Sequence, residues 1–271
     1  MSRRKRRTAR NSDKHVLYEE SVQAPDTDSR FLSRYFKKVS GEPLRSFRED
    51  FCGTATLSSH FVRLHRDNRA LGVDLDKKTL DWARQHNLSE LDDGQRSRLQ
   101  LVQGNVLAVR RPLVQMIAAM NFSYCVFKTR DDLQAYLTNG FRSLKPGGLM
   151  LMDVWGGSET QVEQEEKREV DGFTYVWDQR SFDPLSYHAD CRIHFEFSDG
   201  SRIRNAFIYD WRLWTLPELS ELMGLAGFTG IHVLWEATER ATGEGNGVFR
   251  KVTRGDADEA WIAYIVGAKK T

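Results

Sequence analysis

Two neighbouring carboxylates, Glu49 and Asp50, stand directly before the turn Phe51-Cys52-Gly53-Thr54-Ala55. A third, Asp74, closes the stretch Ala70-Leu71-Gly72-Val73-Asp74 at about the spacing from Gly53 where a dinucleotide fold places its ribose-binding acid. A strand-to-helix turn of this kind ordinarily presents a helix N-terminus to pyrophosphate. Glu49 and Asp50 would repel that anion and attract an ammonium or sulfonium group. The chemistry implied is recognition of a positively charged nucleoside such as the methyl donor S-adenosylmethionine, not NAD.

Competing structural roles are readable at the same positions. Asp74 would serve as a helix N-cap, but Asp76 is better placed for that, which leaves Asp74 for a ribose. Neighbours on a strand point to opposite faces, so one of Glu49 and Asp50 faces the cofactor and the other is structural. Cys52 suits small-residue packing.

These residues need a scaffold, and beyond about Arg30 short apolar runs alternate with amphipathic segments, the pattern of a parallel sheet flanked by helices. Expected strands are Leu44 to Asp50, Ala70 to Asp74, Leu99 to Gln103, Val114 to Met120 and Leu149 to Val154. The first is unusually polar, carrying Arg45, Arg48 and Glu49. Helices are expected over Leu57 to Leu64, Lys77 to His86 and Leu133 to Phe141, the last ended by Lys145-Pro146-Gly147-Gly148. After Trp155-Gly156-Gly157 the character changes to a charged stretch, Gln161 to Glu169, then to alternating aromatic and polar residues. Ser198-Asp199-Gly200-Ser201 reads as a turn between strands Ile193 to Phe197 and Ile203 to Tyr209, an antiparallel insertion. Leu216 to Ala226 is helical, Gly230 to Trp235 and Ala260 to Ala268 are strands, and the glycine-rich Thr242 to Gly247 is expected as a mobile loop.

In a doubly wound sheet the crevice opens at the carboxyl ends of the strands. Asn121-Phe122-Ser123-Tyr124 after strand four and Asp153-Val154-Trp155 at the end of strand five should therefore face the methyl group.

The 271 residues, 40% hydrophobic, suit a globular core with an insertion. No apolar run reaches membrane-spanning length and no apolar region follows the basic N-terminus, so a soluble, cytoplasmic protein without membrane association is expected. Three scattered cysteines, Cys52, Cys125 and Cys191, give no metal-ligand spacing, so no metal is expected. The net charge of +2 conceals a basic block, Arg3, Arg4, Lys5, Arg6, Arg7, Arg10 and Lys14. It reads as a solvated disordered tail, with weak nucleic-acid contact as its functional alternative.

Four blocks in order make the chain resemble class I S-adenosylmethionine-dependent methyltransferases: Phe51-Cys52-Gly53-Thr54-Ala55 as the glycine-rich turn, Gly72-Val73-Asp74 as the ribose-binding strand end, Gly104-Asn105-Val106 as the adenine-binding turn, and Leu144-Lys145-Pro146-Gly147-Gly148 before strand five. Phe51 and Ala55 stand where glycines are usual, and Asn105 where an aspartate is common. Asn105 would hold a turn or accept the adenine amino group on its carbonyl oxygen. The resemblance implies an α/β fold with a Rossmann-like seven-stranded sheet of order 3-2-1-4-5-7-6, strand seven antiparallel. It implies S-adenosyl-L-methionine as cofactor, held by Glu49, Asp50, Phe51, Cys52, Gly53, Thr54, Asp74, Leu75, Gly104, Asn105, Val106, Asn121 and Phe122.

The layout of the second half resembles glycine N-methyltransferase and the amino-sugar N,N-dimethyltransferases, in which an antiparallel lid follows strand five and an N-terminal tyrosine covers the cofactor. By that likeness Tyr18 joins the cofactor site, and Asn121, Tyr124, Trp155, Trp177, Tyr209 and Trp211 the acceptor site. The implied organisation is a basic tail (1–15), a helical arm over the cofactor (16–43), the cofactor core (44–158), the lid (159–214) and the rest of the core (215–271).

Methyl transfer from a sulfonium is an in-line displacement with a neutral leaving group, so alignment and exclusion of water are the main demands. An amine acceptor must arrive unprotonated, with Asp153, Tyr124 or Tyr18 to orient it or take its proton. The expected reaction is methyl transfer to a small-molecule amine. The alternatives are an RNA or protein methyltransferase guided by the tail, and a catalytically silent binding protein.

Overall fold

Five parallel strands carry the first part of the chain: β1 (Ser46–Asp50), β2 (Arg69–Asp74), β3 (Leu99–Gln103), β4 (Val114–Ala119) and β5 (Leu144–Gly156). Three more, β10 (Thr229–Thr238), β11 (Gly245–Val252) and β12 (Trp261–Ala268), complete a sheet of order β11-β10-β12-β5-β4-β1-β2-β3. β12 runs antiparallel to both β5 and β10. The chain is seen in a computed structural model that describes residues 6–238 and 245–270 and divides into two units; this sheet belongs to Ala24–Gly157 and Trp214–Thr271.

The order is the expected 3-2-1-4-5-7-6 with one strand added at the edge. Of the expected loop Thr242 to Gly247, residues 242–244 lie outside the described residues. From Gly245 onward the chain is strand β11, paired with β10 through Thr238↔Gly245 and Glu236↔Phe249. Glycines weaken a local strand signal, and the pairing that overrides them comes from β10, far off in sequence.

Helices α2 (Pro25–Ser40), α3 (Thr56–Leu64), α4 (Lys77–Gln85), α5 (Asp93–Arg96), α6 (Arg130–Ser143) and α7 (Leu216–Ala226) accompany the sheet. Met116 to Ala119 of β4 and Met150 to Met152 of β5 are wholly buried, as in a sheet covered on both faces. Local chemistry sets the helix starts. Asp76 caps α4, Thr129 caps α6, and Thr215 with Glu218 forms a capping box on α7.

The second unit contains α1 (Lys14–Val22) and a sheet of order β6-β7-β8-β9, from β6 (Gln164–Val170), β7 (Phe173–Asp183), β8 (His188–Glu196) and β9 (Arg202–Arg212). The charged stretch from Gln164 is thus an edge strand, where charge discourages further pairing. Alternation gives the sheet one aromatic face, on which Leu17 of α1 packs with Phe173, Ile193 and Phe195, and one polar face bearing Asp178, Arg192 and His194.

Residues 6–13 depart from the expected solvated tail. Arg6 donates to Ser198 Oγ, the Ala9 amide to Ser201 Oγ at 2.9 Å, and Arg7 pairs with Glu20. Residues 1–5 lie outside the described residues. Among the described residues no helix is long and apolar enough to cross a membrane.

Candidate active site at the carboxyl ends of the strands

The turn after β1 is strained and closed on itself. Phe51, Gly53 and Ala55 all have left-handed backbone, φ 58°, 52° and 55°. Only glycine takes this conformation freely, and each bulkier residue there costs about 1–3 kcal/mol. The loop after β4 repeats the feature at Asn121 (φ 58°) and Phe122 (φ 55°). β1 and β4 are adjacent, with Asp50 opposite Ala119, so the two strained loops leave the sheet side by side.

Ala55 is the N-cap of α3 and has no side chain to bond the first turn. Glu49 supplies the missing acceptor: its Oε2 takes the Ser58 amide at 2.9 Å and the Ser58 hydroxyl at 2.5 Å. Asp74 does the same for the turn, accepting the Gly53 amide at 2.8 Å and, on its other oxygen, the Asp76 amide at 2.8 Å. Two amides that a Rossmann turn would offer to pyrophosphate, those of Gly53 and Ser58, are therefore already bonded to protein carboxylates.

Asp50, on the opposite face of β1, has a different fate. Its Oδ1 accepts Arg48 Nε at 2.6 Å and its Oδ2 the Tyr136 hydroxyl at 3.1 Å, with both ionic side chains fully buried. Its carboxylate is thus part of an internal ion pair and is not directed at a cofactor. Arg48 also donates to the carbonyls of Val109 and Val106, at 2.6 and 3.3 Å, so the pair fastens the loop after β3 beneath the sheet. Arg48, Tyr136 and Asn139, whose amide also bonds Val106 and Val109, had no place in the sequence reading. The signal was present: Arg and Asp two apart on a strand share a face.

Burial holds several carboxyl groups above their ordinary range, Asp50 among them despite its bond to Arg48. Burial pushes Glu49 and Asp153 each up to about 7, and Asp28, in the first turn of α2, up to about 6. They feel one another, since Asp28 raises both Glu49 and Asp153. Asp153 accepts the Asn121 amide at 2.6 Å and the Phe122 amide at 2.9 Å, one on each oxygen. It thereby holds the strained loop after β4. Asp28 was also missed, because an acid in a helix's first turn reads simply as a complement to the helix dipole.

The remaining expected residues sort as follows. Gly53 faces open space where a side chain would stand, and Thr54 Oγ1 and Ser59 Oγ are buried without a hydrogen-bond partner, as a site awaiting a polar ligand would leave them. Cys52 is 2% exposed, a packed thiol raised well above its usual range by burial. Leu75 is 66% exposed beside Asp74. The Gly104 amide bonds the Asp74 carbonyl at 2.9 Å, which brings the turn after β3 to the end of β2. Asn105 Oδ1 accepts the Leu107 amide at 2.9 Å and so holds that turn; Val106 is buried. Trp155 lies near Phe122, ring centroids 6.2 Å apart.

Tyr124 is 1% exposed, and burial drives its hydroxyl far above neutrality, so it is a core residue and not a proton acceptor. Tyr18, Trp177, Tyr209 and Trp211 belong to the other unit and pack among themselves there. Tyr18 stacks obliquely on Phe207 at 4.8 Å, and Tyr209 on Trp211 at 4.5 Å.

Residues 51–148 match the family described as a methyltransferase domain. The chain carries a methyltransferase domain. A search of curated proteins by sequence returns no match. Among solved structures the fold is similar to an S-adenosylmethionine-dependent methyltransferase from Clostridium acetobutylicum (15% identity, TM-score 0.70, covering 95% of this chain and 98% of that one). It is also similar to the sugar N-methyltransferase KedS8 from a Streptoalloteichus species (16%, 0.64, 96% and 94%) and to CalS10, an amino pentose methyltransferase from Micromonospora echinaspora (13%, 0.66, 94% and 96%). These likenesses establish the fold: a class I methyltransferase sheet followed by an antiparallel insertion.

Proposed function

We propose that the chain transfers a methyl group from S-adenosylmethionine to an amine of a small molecule. The observation that carries the donor assignment is the company kept by Glu49 and Asp74. They take the Gly53 and Ser58 amides, which a phosphate would otherwise use, and no lysine or arginine among the described residues pairs with them or with Asp28 and Asp153. A methyltransferase domain with uncompensated carboxylates around its glycine-rich turn fits a cationic nucleoside.

The donor supplies an electrophilic methyl group and departs as a neutral thioether. Asp74 binds the ribose hydroxyls, Leu75 and the turn at Gly104 and Asn105 take the adenine, and Glu49 with Gly53 and Thr54 receives the methionyl end. Asp153 acts as a positioning residue, because its two oxygens hold the amides of Asn121 and Phe122. The acceptor loses its proton to water or to a group it brings with it. An amine acceptor is supported by the acidic surroundings, and by the named activities of the sugar and amino pentose enzymes that share this fold. Internal contacts of Arg6, Arg7 and Lys14 speak against a tail reserved for nucleic acid, Lys14 donating to the Ala206 carbonyl at 3.2 Å.

Isothermal titration with S-adenosylmethionine, followed by transfer of its labelled methyl to a panel of amines, tests the proposal. Donor affinity in the micromolar range with label on an amine supports it. Absence of donor binding defeats it, and label on oxygen or carbon alone defeats the acceptor assignment.

A further inference from the structure

Phe51 holds a left-handed backbone, φ 58°, that glycine would take at no steric cost. What a glycine there would lack is the ring. That ring meets two others: Phe127, edge to face with centroids 6.0 Å apart, and Tyr136 at 5.6 Å. Phe127 and Tyr136 also meet each other at 5.1 Å, so the three rings close a triangle at separations where aromatic pairs attract. Tyr136, wholly buried in α6 with its hydroxyl on Asp50, is the fixed corner. Phe51 and Phe127 are only partly buried.

These two rings come from the two strained loops. Phe51 opens the turn that continues to Gly53, whose amide Asp74 holds. Phe127 follows the 3-10 turn Ser123–Val126, which starts from left-handed Phe122. The Cys125 amide donates to the Phe122 carbonyl at 2.9 Å and the Phe127 amide to the Tyr124 carbonyl at 3.1 Å, so Phe127 is tied through one short turn to the residue whose own amide Asp153 holds. The Phe127 carbonyl accepts Trp214 Nε1 at 3.1 Å, which fixes the end of this segment. Sparsely populated backbone persists only where its surroundings over-determine it. Each loop is secured by one carboxylate and by the ring that reaches it from the other loop.

We propose that Phe51 is a positioning residue that couples donor binding at the turn after β1 to the ordering of the loop after β4, so that S-adenosylmethionine prepares the acceptor side of the site before the acceptor arrives. The proposal rests on the donor reading above. A ligand that fixes the first loop removes, through the Phe51–Phe127 contact, conformational freedom that the second loop would otherwise lose on taking the acceptor. The two binding events are then cooperative without contact between the two ligands. In-line transfer needs the loops in one fixed relation, and the ring triangle supplies it.

Amide hydrogen exchange of the full chain, with and without saturating S-adenosylmethionine, reads this coupling and needs no acceptor. In the wild type the donor should slow exchange over residues 53–59 and over residues 121–127. Phe51→Gly, which suits the left-handed backbone, should keep the donor-induced protection of residues 53–59 and a donor Kd within about threefold of the wild type, and lose most of the protection of residues 121–127. Phe127→Leu, at a position with no left-handed backbone, should show the same selective loss. The double substitution should lose no more than either single one, because both cut one linkage. Protection of residues 121–127 that survives in both variants overturns the proposal, and a lowered melting temperature with that protection intact assigns the triangle to the fold alone. Wild-type protein that binds S-adenosylmethionine and protects only residues 53–59 defeats this inference by itself; wild-type protein that binds no S-adenosylmethionine defeats the donor reading as well.

Discussion

The two units treat their acids in opposite ways. In the antiparallel unit carboxylates find cations: Glu20 pairs with Arg7, Asp190 with Arg192, and Glu196 with both Lys167 and Arg202. At the carboxyl ends of the parallel strands, Glu49, Asp74 and Asp153 bond backbone amides or a hydroxyl instead, and burial holds Glu49 and Asp153 near neutrality. Even β1 divides internally, Asp50 being neutralised by Arg48 while Glu49, one residue earlier, is not. An acid compensated within the chain serves the fold. An acid left to amides in a buried site is a place for a cation from outside.

The contrast is broken most severely at Asp50. Asp50→Ala strands the Arg48 guanidinium inside the core, and loss of one member of a buried pair costs about 3–5 kcal/mol. Urea unfolding should show that loss, with donor affinity changed only as far as the unfolded fraction requires. Asp74→Ala should do the reverse. Removing charge-assisted bonds worth about 1.5–3 kcal/mol weakens S-adenosylmethionine roughly tenfold to a hundredfold by calorimetry, with a smaller effect on stability. Asp153→Asn keeps one acceptor oxygen and faces the other loop amide with an amide donor. It should cost about 1–3 kcal/mol in stability and lower kcat more than it raises donor Kd. Asp190→Asn, in the surface pair with Arg192, should change stability by less than about 1 kcal/mol and leave donor binding alone.

Acidity sharpens the comparison further. Folding raises Glu49 and Asp153 above their ordinary values, so the native state holds protons that the unfolded chain has released. The stability this supplies is complete below the usual carboxylate range and is lost as pH climbs to about 7, on the order of 3 kcal/mol per group. Thermal melts of the free protein should therefore decline from pH 5 to pH 7.5, and bound donor should reduce that decline.

The parallel sheet was legible because its apolar runs and the Asp76 cap are local signals; the proline-glycine run expected before strand five instead forms the start of β5, which begins at Leu144 directly after α6. Polar β1 was the weak point, and its explanation is Arg48, whose charge is consumed by Asp50 below the sheet. β11 was illegible because Gly245 and Gly247 argue for a loop, whereas pairing with β10 is a tertiary effect. Asp74 was legible as the end of β2, where its carboxylate bonds the Gly53 amide of the turn after β1. Tyr124 was misjudged because position after a strand says nothing of burial, and Asp28 was overlooked because only folding carries α2's first turn into the electrostatic reach of Glu49 and Asp153.

Calorimetric titration of S-adenosylmethionine into wild-type protein and Glu49→Gln, at pH 6 and pH 7.5, tests the central claim most directly. Ionisation of Glu49 across that interval should tighten wild-type binding severalfold, and the substituted protein should bind more weakly with a flatter dependence. No binding at either pH, or the same pH dependence in both proteins, would contradict the assignment of this acid to a cationic donor.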